Sequence, residues 1–441
     1  MKPAGYSVYR SSGLDWMKEI PAHWEVKKLR YLGDALIGLT YDPADVVSED
    51  QGTLVLRSSN IQNGRITLDD NVYVSTKIPA ELISRDNDIL ICSRNGSRAL
   101  VGKTAKIEGP AVGSSFGAFT TVFRSELNDF LYYVFNSQLF TFQAGRFMTT
   151  TINQITTGTL KDLEVPVPPV QEQRAIADFL ARETGRIDEL VRAKENLVLA
   201  LDDRRVSTIA EQVFGERLGH YRDSGSRYFP NVPAHWDVVA FRRCVTISEG
   251  QVDPEDPTYK DVVLIAPNHI ESGTGRILST ETADEQAAIS GKYRVRAGDL
   301  IYSKIRPALN KVCLATFDCL CSADMYALSP KEGMSVEYLL YLMLSRPFVQ
   351  LVADESMRVA MPKVNRPTLL SIRIPRPPLS EQEQIAARLR DELGRLATLS
   401  QKTKLSIEKL REYRSALISA AVTGQIDVRT HHPQEAAVLC Q

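Results

Sequence analysis

Residues 166–190, PVPPVQEQRAIADFLARETGRIDEL, and residues 375–399, PRPPLSEQEQIAARLRDELGRLATL, are two versions of one stretch. Each is a proline-rich stop that runs into a helical pattern. Ile176, Leu180, Ile187, Leu190 and Leu201 in the first copy match Ile385, Leu389, Leu396, Leu399 and Leu410 in the second at a constant offset of 209. Spacings of three, four and seven put these side chains along one side of a helix. The pattern predicts two long amphipathic helices over residues 169–216 and 378–424; the first, from about Gln171 to Phe214, stops at Gly215 and is on the order of 65 Å long. A stripe of that length needs a partner. Arg182, Glu183, Arg186, Asp188, Glu189, Arg192, Lys194 and Glu195 supply the mixed charge of a coiled-coil exterior. Ser380 with Glu383 predicts a capping box on the second helix, which Gln171 and Arg174 cannot form on the first.

The duplication extends through the rest of the chain. IPAHWEVKKLRYL at Ile20 returns as VPAHWDVVAFRRC at Val232, and VLRSSNIQNGRI at Val55 as VLIAPNHIESGTGRI at Val263. RDNDILICSRNGSRALVGKT at Arg85 returns as RAGDLIYSKIRPALNKV at Arg296, and NDFLYYVFNSQLFTFQA at Asn128 as VEYLLYLMLSRPFVQLV at Val336. Pro21 matches Pro233 and Pro166 matches Pro375, so the offset drifts only from 212 to 209. That period is far too long for a solenoid and means two globular domains, each followed by one long helix. Short Val, Ile, Thr and Phe runs between Asn, Gly and Asp read as strands and turns, DFLYYVFNSQLFTF reads as a buried helix, and EVPVPP closes the last strand of the first domain.

The fold class expected is mixed α/β (α+β): homologous globular domains at 1–168 and 217–377, joined by two helices in an antiparallel coiled coil under pseudo-twofold symmetry. A tail follows at 425–441, a short strand or loop that then frays. A parallel helix pair is the weaker alternative. Trp24 and Trp236, in the PAHW segments, are expected to pack in the core or between domain and helix.

At 441 residues, 43% apolar and 24% charged, the chain is an ordinary soluble sequence of about two to four domains. The start lacks an apolar leader core, and YLLYLMLS around Leu340 is far shorter than the ~20 residues a bilayer span needs, so a cytoplasmic protein without membrane contact is expected. Cys92, Cys244, Cys313, Cys319, Cys321 and Cys440 lack paired ligand spacing, and His431 with His432 is too few for a metal site; reduced, mostly buried thiols are expected. The net charge of −1 advertises no nucleic-acid partner, yet Lys292, Arg294, Arg296, Lys304, Arg306 and Lys311 lie close together, as do Arg358, Lys363, Arg366, Arg373 and Arg376. A neutral sum can hide basic faces.

Catalytic motifs are missing. No nucleophile elbow or HExxH occurs, five residues separate Gly96 from Gly102 where a phosphate loop needs four, and there is no Gly-rich methyl-donor loop or adenine-gripping tetrapeptide. The chain reads as an organiser.

Two divergent heads, each opening with PAHW, carrying GDL or NDIL, and ending in P-x-PP-x-x-EQ before a long helix, together resemble the specificity subunit of a type I restriction-modification enzyme. MPKVNRPTLL from Met361, and more loosely TINQITTGTL from Thr151, add to the likeness, which covers essentially the whole chain. The resemblance implies a non-catalytic subunit whose heads each read half of an asymmetric bipartite double-stranded DNA target, while the helices set the gap and dock two modification subunits. It places S-adenosylmethionine in the modification subunits, and ATP and Mg in a possible pair of restriction subunits, leaving no cofactor or metal in this chain. A coiled-coil scaffold without DNA binding, or a stand-alone DNA-modifying enzyme with an unfamiliar site, are the alternatives.

Base edges are read mainly by Arg or Lys at guanine and Asn or Gln at adenine, while Ser and Thr mostly hold phosphate. Equivalent polar turns of the two heads therefore supply the candidates. In the first head they are Arg57, Ser58, Ser59, Asn60, Gln62, Arg65, Ser93, Arg94, Asn95, Arg98, Lys103, Asn153 and Gln154. In the second they are Asn268, His269, Arg276, Ser303, Lys304, Arg306, Lys311, Lys363, Asn365 and Arg366.

Overall fold

The computed structural model describes residues 5–14, 16–147, 153–215, 219–356 and 362–430. Thr151, Met361, His431, His432 and Cys440 lie outside the described residues. Among those described, eight α-helices form: α1 (Asn128–Phe135), α2 (Gln138–Phe147), α3 (Thr157–Asp162), α4 (Val170–Val213), α5 (Val336–Leu344), α6 (Arg346–Ser356), α7 (Arg366–Ser371) and α8 (Leu379–Val422). The chain divides into two compact units, Met1–Lys194 with Leu405–Gln441, and Glu195–Lys404.

The head of the first unit is built on a six-stranded sheet ordered Asp34–Ile37, Thr120–Arg124, Ile89–Cys92, Thr104–Lys106, Arg65–Ile66, Ile61–Gln62. Ile89–Cys92 is buried throughout, as its unbroken apolar run requires. The Ile61–Ile66 hairpin turns on Asn63 (φ 52°) and Gly64 (φ 77°), the left-handed pair that a two-residue turn of matching twist needs. A second sheet holds Ser115–Phe116, Thr53–Leu56, Tyr73–Val74 and Val46–Val47. The head of the second unit has two four-stranded sheets, one centred on Met325–Pro330 and Leu300–Ser303, the other on Lys292–Val295 and Cys319–Cys321.

The expected single helix from Asp129 is two helices, α1 and α2. Asn136 Nδ2 donates to the Tyr132 carbonyl and Ser137 Oγ to the Val134 carbonyl, ending the first helix. Ser345 makes the same break between α5 and α6, donating to the Leu342 carbonyl at 2.6 Å.

Each head closes on itself at its base. Glu25–Lys28, just after the first PAHW, pairs antiparallel with Glu164–Val167, and Asp237–Ala240 pairs with Arg373–Arg376. This delivers each proline-rich stop beside a PAHW segment. Glu172 then accepts from Tyr6 Oη and lies 2.8 Å from His23 Nε2. Glu381 lies 2.9 Å from His235 Nε2 and accepts from Trp236 Nε1 at 2.9 Å. Tyr6 occupies the second oxygen of Glu172, and Trp24 Nε1 is buried without a partner among the described residues.

The neighbouring glutamines tie the start of each long helix back to its proline-rich stop. Gln173 Nε2 donates to the Pro168 carbonyl at 2.7 Å and Gln382 Nε2 to the Pro377 carbonyl at 2.8 Å. The expected Ser380–Glu383 box does not form, since α8 already begins at Leu379 and Ser380 sits exposed inside its first turn. Both helices share the same Gln-to-proline tie.

Each PAHW segment also meets the end of the other long helix in its unit. Gly424 (φ 72°) follows α8 in the first unit, and a Cβ there would lie 2.4 Å from Pro21 Cδ. Gly215 (φ 69°) follows α4 in the second unit, where a Cβ would lie 2.6 Å from Pro233 Cγ. Left-handed glycine at this position ends a helix without steric cost.

Within each unit the two long helices run antiparallel. In the first, Ile176 and Leu180 share a core with Leu417, Ile418, Ala421 and Val422, and Arg414 Nε donates to Asp188 at 2.8 Å. In the second, Ile209 and Val213 share a core with Ile385, Ala386 and Leu389, while Gln212 Nε2 donates to Glu392 at 3.0 Å. Ile187 is buried; Leu190, Leu201, Leu396 and Leu410 are half-buried. Leu399 is 46% exposed, against expectation. The seam of α8 instead passes through Thr403 and Ile407, both buried.

The short loop expected after α8 packs against the first unit as far as the described residues go. Ile426 and Val428 are buried in the core of the first unit, and Arg429 stacks over Tyr6 at 5.1 Å.

Candidate nucleic-acid interface

In each head a strand runs out of the core into a short turn that was a candidate for reading bases. Asn60 Oδ1 accepts the Arg57 backbone N–H at 2.8 Å, and its Nδ2 donates to the Thr67 carbonyl at 2.9 Å. His269 Nδ1 accepts the Ala266 N–H at 3.2 Å, which leaves the proton on Nε2, 3.5 Å from Glu281. Both side chains are 1% exposed. Asn60 and His269 build the same turn from the inside, against the expectation of outward-facing polar groups, and are buried with their bonds made to backbone.

Other candidates are also engaged internally. Ser93 and Ser303 are buried and donate to the carbonyls of Phe119 and Ile305, each at 3.1 Å. Lys311 Nζ donates to the carbonyls of Pro267 at 2.6 Å and Ile270 at 2.9 Å, tying down the His269 turn. Arg366 lies over Tyr293 and Tyr326 and donates to the Ser248 carbonyl and to Glu249. Asn365 caps α7 by accepting the Thr368 N–H at 2.8 Å. Each of these side chains makes an internal contact that supports its own turn or helix end.

Arg57 is paired with Asp70 at 2.7 Å and Arg276 with Glu271 at 2.9 Å. Asn95 accepts the Ser97 N–H and donates to Ser58 Oγ at 3.3 Å, and Asn153 Nδ2 donates to the Gly96 carbonyl at 3.1 Å. Lys304 donates to the Ala323 carbonyl and lies over Tyr326; burial and the neighbouring Lys363 push its pKa below the ordinary lysine value.

Ser59, Gln62, Arg65, Arg94, Arg98, Lys103, Asn268, Arg306 and Lys363 are exposed, and Gln154 is half-exposed. They are not all in one place. The Arg94 strand end bridges Gln154, and the corresponding Ile305 bridges Lys363. Arg65 belongs elsewhere: with Gly64, Lys106, Tyr132 and Ala181 of α4 it lines an open cleft of about 530 Å³ on the helix side of its head.

The sequence reading missed two groups. Phe119 is 61% exposed beneath the Arg94 guanidinium, 5.3 Å away. Its signal was the duplication itself, since GAFT from Gly117 and SADM from Ser322 occupy matching strand ends. Glu172 and Glu381 were also passed over, although EQ and PAHW recur together in both halves.

A duplicated chain with two α/β heads, each locked to the ends of two long helices and each offering different side chains at matching turns, defines a protein built for two-part recognition. The family model described as type I restriction modification DNA specificity domain matches residues 21–199 and 237–409, and the chain belongs to that family. The EcoDI type I restriction enzyme specificity subunit of Escherichia coli is 26% identical over 412 residues, 87% of this chain and 89% of that one. The putative MjaX specificity subunit of Methanocaldococcus jannaschii is 24% identical over 429 residues, 93% and 96% of the two chains. A structure from work on assembly and conformational transition of the type I R-M system superposes with a TM-score of 0.70 at 17% identity, covering 92% of this chain and 99% of that one. An HsdS subunit from Thermoanaerobacter tengcongensis gives 0.52 at 18% identity, covering 92% and 98%.

Among the described residues no single helix is long and apolar enough to cross a membrane; α5 and α6 pass that test only as a pair bent by 66°. Their apolar faces, including Leu339, Leu342, Phe348 and Val352, belong to the core of the second unit.

Proposed function

We propose that this chain is the non-catalytic DNA-reading subunit of a type I restriction-modification assembly in the cytoplasm. Each head reads one half of a bipartite duplex target, and α4 with α8 holds the two readers at the separation that defines the unread gap. Because the turns of the two heads carry different side chains, the half-sites differ and the target is asymmetric. Two modification subunits dock on this chain and carry S-adenosylmethionine; restriction subunits, where present, carry ATP and Mg. The observation that supports the reading best is that one family's domain matches twice, once over each head and its following helix.

The test is sequencing of methylated adenines in cells expressing this chain with its modification partner. A single bipartite motif with two unlike halves is the expected result. Inserting four residues into α4 near Lys194 should lengthen only the gap, since one helical turn adds roughly 5 to 6 Å. A methylated motif whose gap is unchanged, or no sequence-dependent methylation at all, overturns the reading.

A further inference from the structure

Three backbone hydrogen bonds recur at matching positions in the two heads. The N–H of Ser93 donates to the Phe119 carbonyl at 3.0 Å, and that of Lys304 to the Asp324 carbonyl at 3.0 Å. The N–H of Asn95 donates to the Asn153 carbonyl at 3.4 Å, and that of Arg306 to the Pro362 carbonyl at 2.9 Å. The N–H of Ile155 donates to the Ser93 carbonyl at 2.8 Å, and that of Val364 to the Lys304 carbonyl at 2.9 Å. A backbone bridge between Arg94 and Gln154, and between Ile305 and Lys363, completes the match.

The frame is thus constant while the side chains it carries are not. Four positions stand on it: Arg94, Asn95, Phe119 and Gln154 in the first head, and Ile305, Arg306, Asp324 and Lys363 in the second. No position keeps its chemistry. A cation faces an apolar branch, an aromatic faces a carboxylate, and an amide faces a cation. The residues that hold the frame behave oppositely. Ile155 and Val364 are both buried, and Thr156 and Asn365 both cap the following helix through side-chain oxygens.

We infer that these four positions in each head form its base-reading set, with Phe119 and Asp324 as members alongside the charged and amide groups. Side chains raised on a rigid backbone lattice lose little freedom on contact, and their variety matches the distinct donor, acceptor and methyl patterns of the major groove. The Arg94 guanidinium lies over the Phe119 ring, 5.3 Å from its centre, which narrows the freedom it has to lose on contact. In the second head Arg306, Asp324 and Lys363 are all exposed, giving donors and an acceptor on one frame. The turn residues Asn60 and His269, and Lys311 beneath the second turn, support the neighbouring backbone and carry no sequence information.

The inference rests on the proposed DNA-reading role, and the experiment separates the two. The full-length chain is co-expressed with the modification subunit, and the complex selects from duplexes randomised over both half-sites. The test variant exchanges three side chains of the first head for those of the second: Arg94→Ile, Phe119→Asp and Gln154→Lys. Asn95 is left in place because its side chain also holds the Ser97 N–H and Ser58. The expected result is a change of preferred bases in one half-site only, with roughly five- to 150-fold weaker binding of the original half-site. The other half-site, the gap and the thermal midpoint stay as in wild type.

If the triple exchange lowers the thermal midpoint, Gln154→Ala alone serves, since its side chain has no hydrogen bond among the described residues. An unchanged motif with either variant overturns the inference, as does an equal loss on all sequences, which would make these groups phosphate contacts. A wild-type complex that selects no motif overturns the DNA-reading role itself.

Discussion

Gly424→Ala should destabilise the first unit through two separable effects. Gly424 sits at φ 72°, where an alanine costs about 1 to 2 kcal/mol, offset in part by roughly 0.4 to 1 kcal/mol from the stiffer unfolded chain. The added Cβ would also stand 2.4 and 2.5 Å from Pro21 Cδ and Cγ. That ring ends a strand paired from Tyr9 to Pro21 and cannot turn aside, so overpacking adds about 1 to 3 kcal/mol. The sum is about 1 to 5 kcal/mol. Gly113→Ala provides the control: its φ is 85°, yet nothing lies within 4 Å of the new methyl, so only the conformational part, at most about 2 kcal/mol, remains. Scanning calorimetry of the full-length chain should show the first unit's transition falling by roughly 2 to 12 °C more for Gly424→Ala than for Gly113→Ala, the overpacking of about 1 to 3 kcal/mol being the difference. Gly215→Ala should do the same to the second unit, through Pro233 and Trp236. Equal shifts for Gly424→Ala and Gly113→Ala would refute the claim that helix end and PAHW segment are in tight contact.

Lys311→Met removes both donors from the Pro267 and Ile270 carbonyls and should cost about 1 to 3 kcal/mol in urea unfolding while leaving the selected bases unchanged; a changed motif with unchanged stability would reverse its assignment. Burial pushes the thiols of Cys313 and Cys319 up to about 12 and that of Cys244 up to about 11, and Cys92 and Cys321 are raised as well. At pH 8 a disulfide reagent should therefore titrate at most one thiol per native chain and six after denaturation. The Arg429 side chain holds the Asp427 carboxyl below the usual range, so this group contributes stability above the unfolded pKa of about 3.9 and loses it as pH falls through the folded value. Asp427→Asn should accordingly lower the melting temperature at pH 7, with the gap to wild type closing in acid; a gap independent of pH would mean the aspartate acts only through packing.

The duplication made the architecture legible. Once Ile176 and Ile385 were seen to repeat with their prolines, the two helices, the two heads and the buried Trp24 and Trp236 followed from spacing and chain economy. Short-range polar chemistry was not legible in the same way. Asn60 and His269 have the residue types of base readers, but whether an amide or imidazole turns outward or caps its own turn depends on a neighbouring N–H that no composition argument locates. Leu399 failed for a related reason, because a narrow seam between two helices chooses Thr403 over a leucine that sits slightly off its line. Ser380 and Glu383 had the right spacing for a cap, yet the helix already begins at Leu379, and Gln382 bonds back to the Pro377 carbonyl. Phe119 went unnoticed because an exposed aromatic is unremarkable until the guanidinium above it is placed.

The division of the chain also sets an order of events during synthesis. Glu195–Lys404 is continuous, so that unit can fold as soon as its own length has left the ribosome. The first unit cannot: Ile176 and Leu180 on α4 are covered by Leu417, Ile418 and Val422, which are made after everything between Lys194 and Leu405. At about 5 to 20 residues per second that wait is roughly 10 to 40 s. The part made first is therefore completed last. Proteolysis of stalled nascent chains should find the second unit protected while the first is still cut, and the uncovered α4 in that interval is an obvious client for a chaperone.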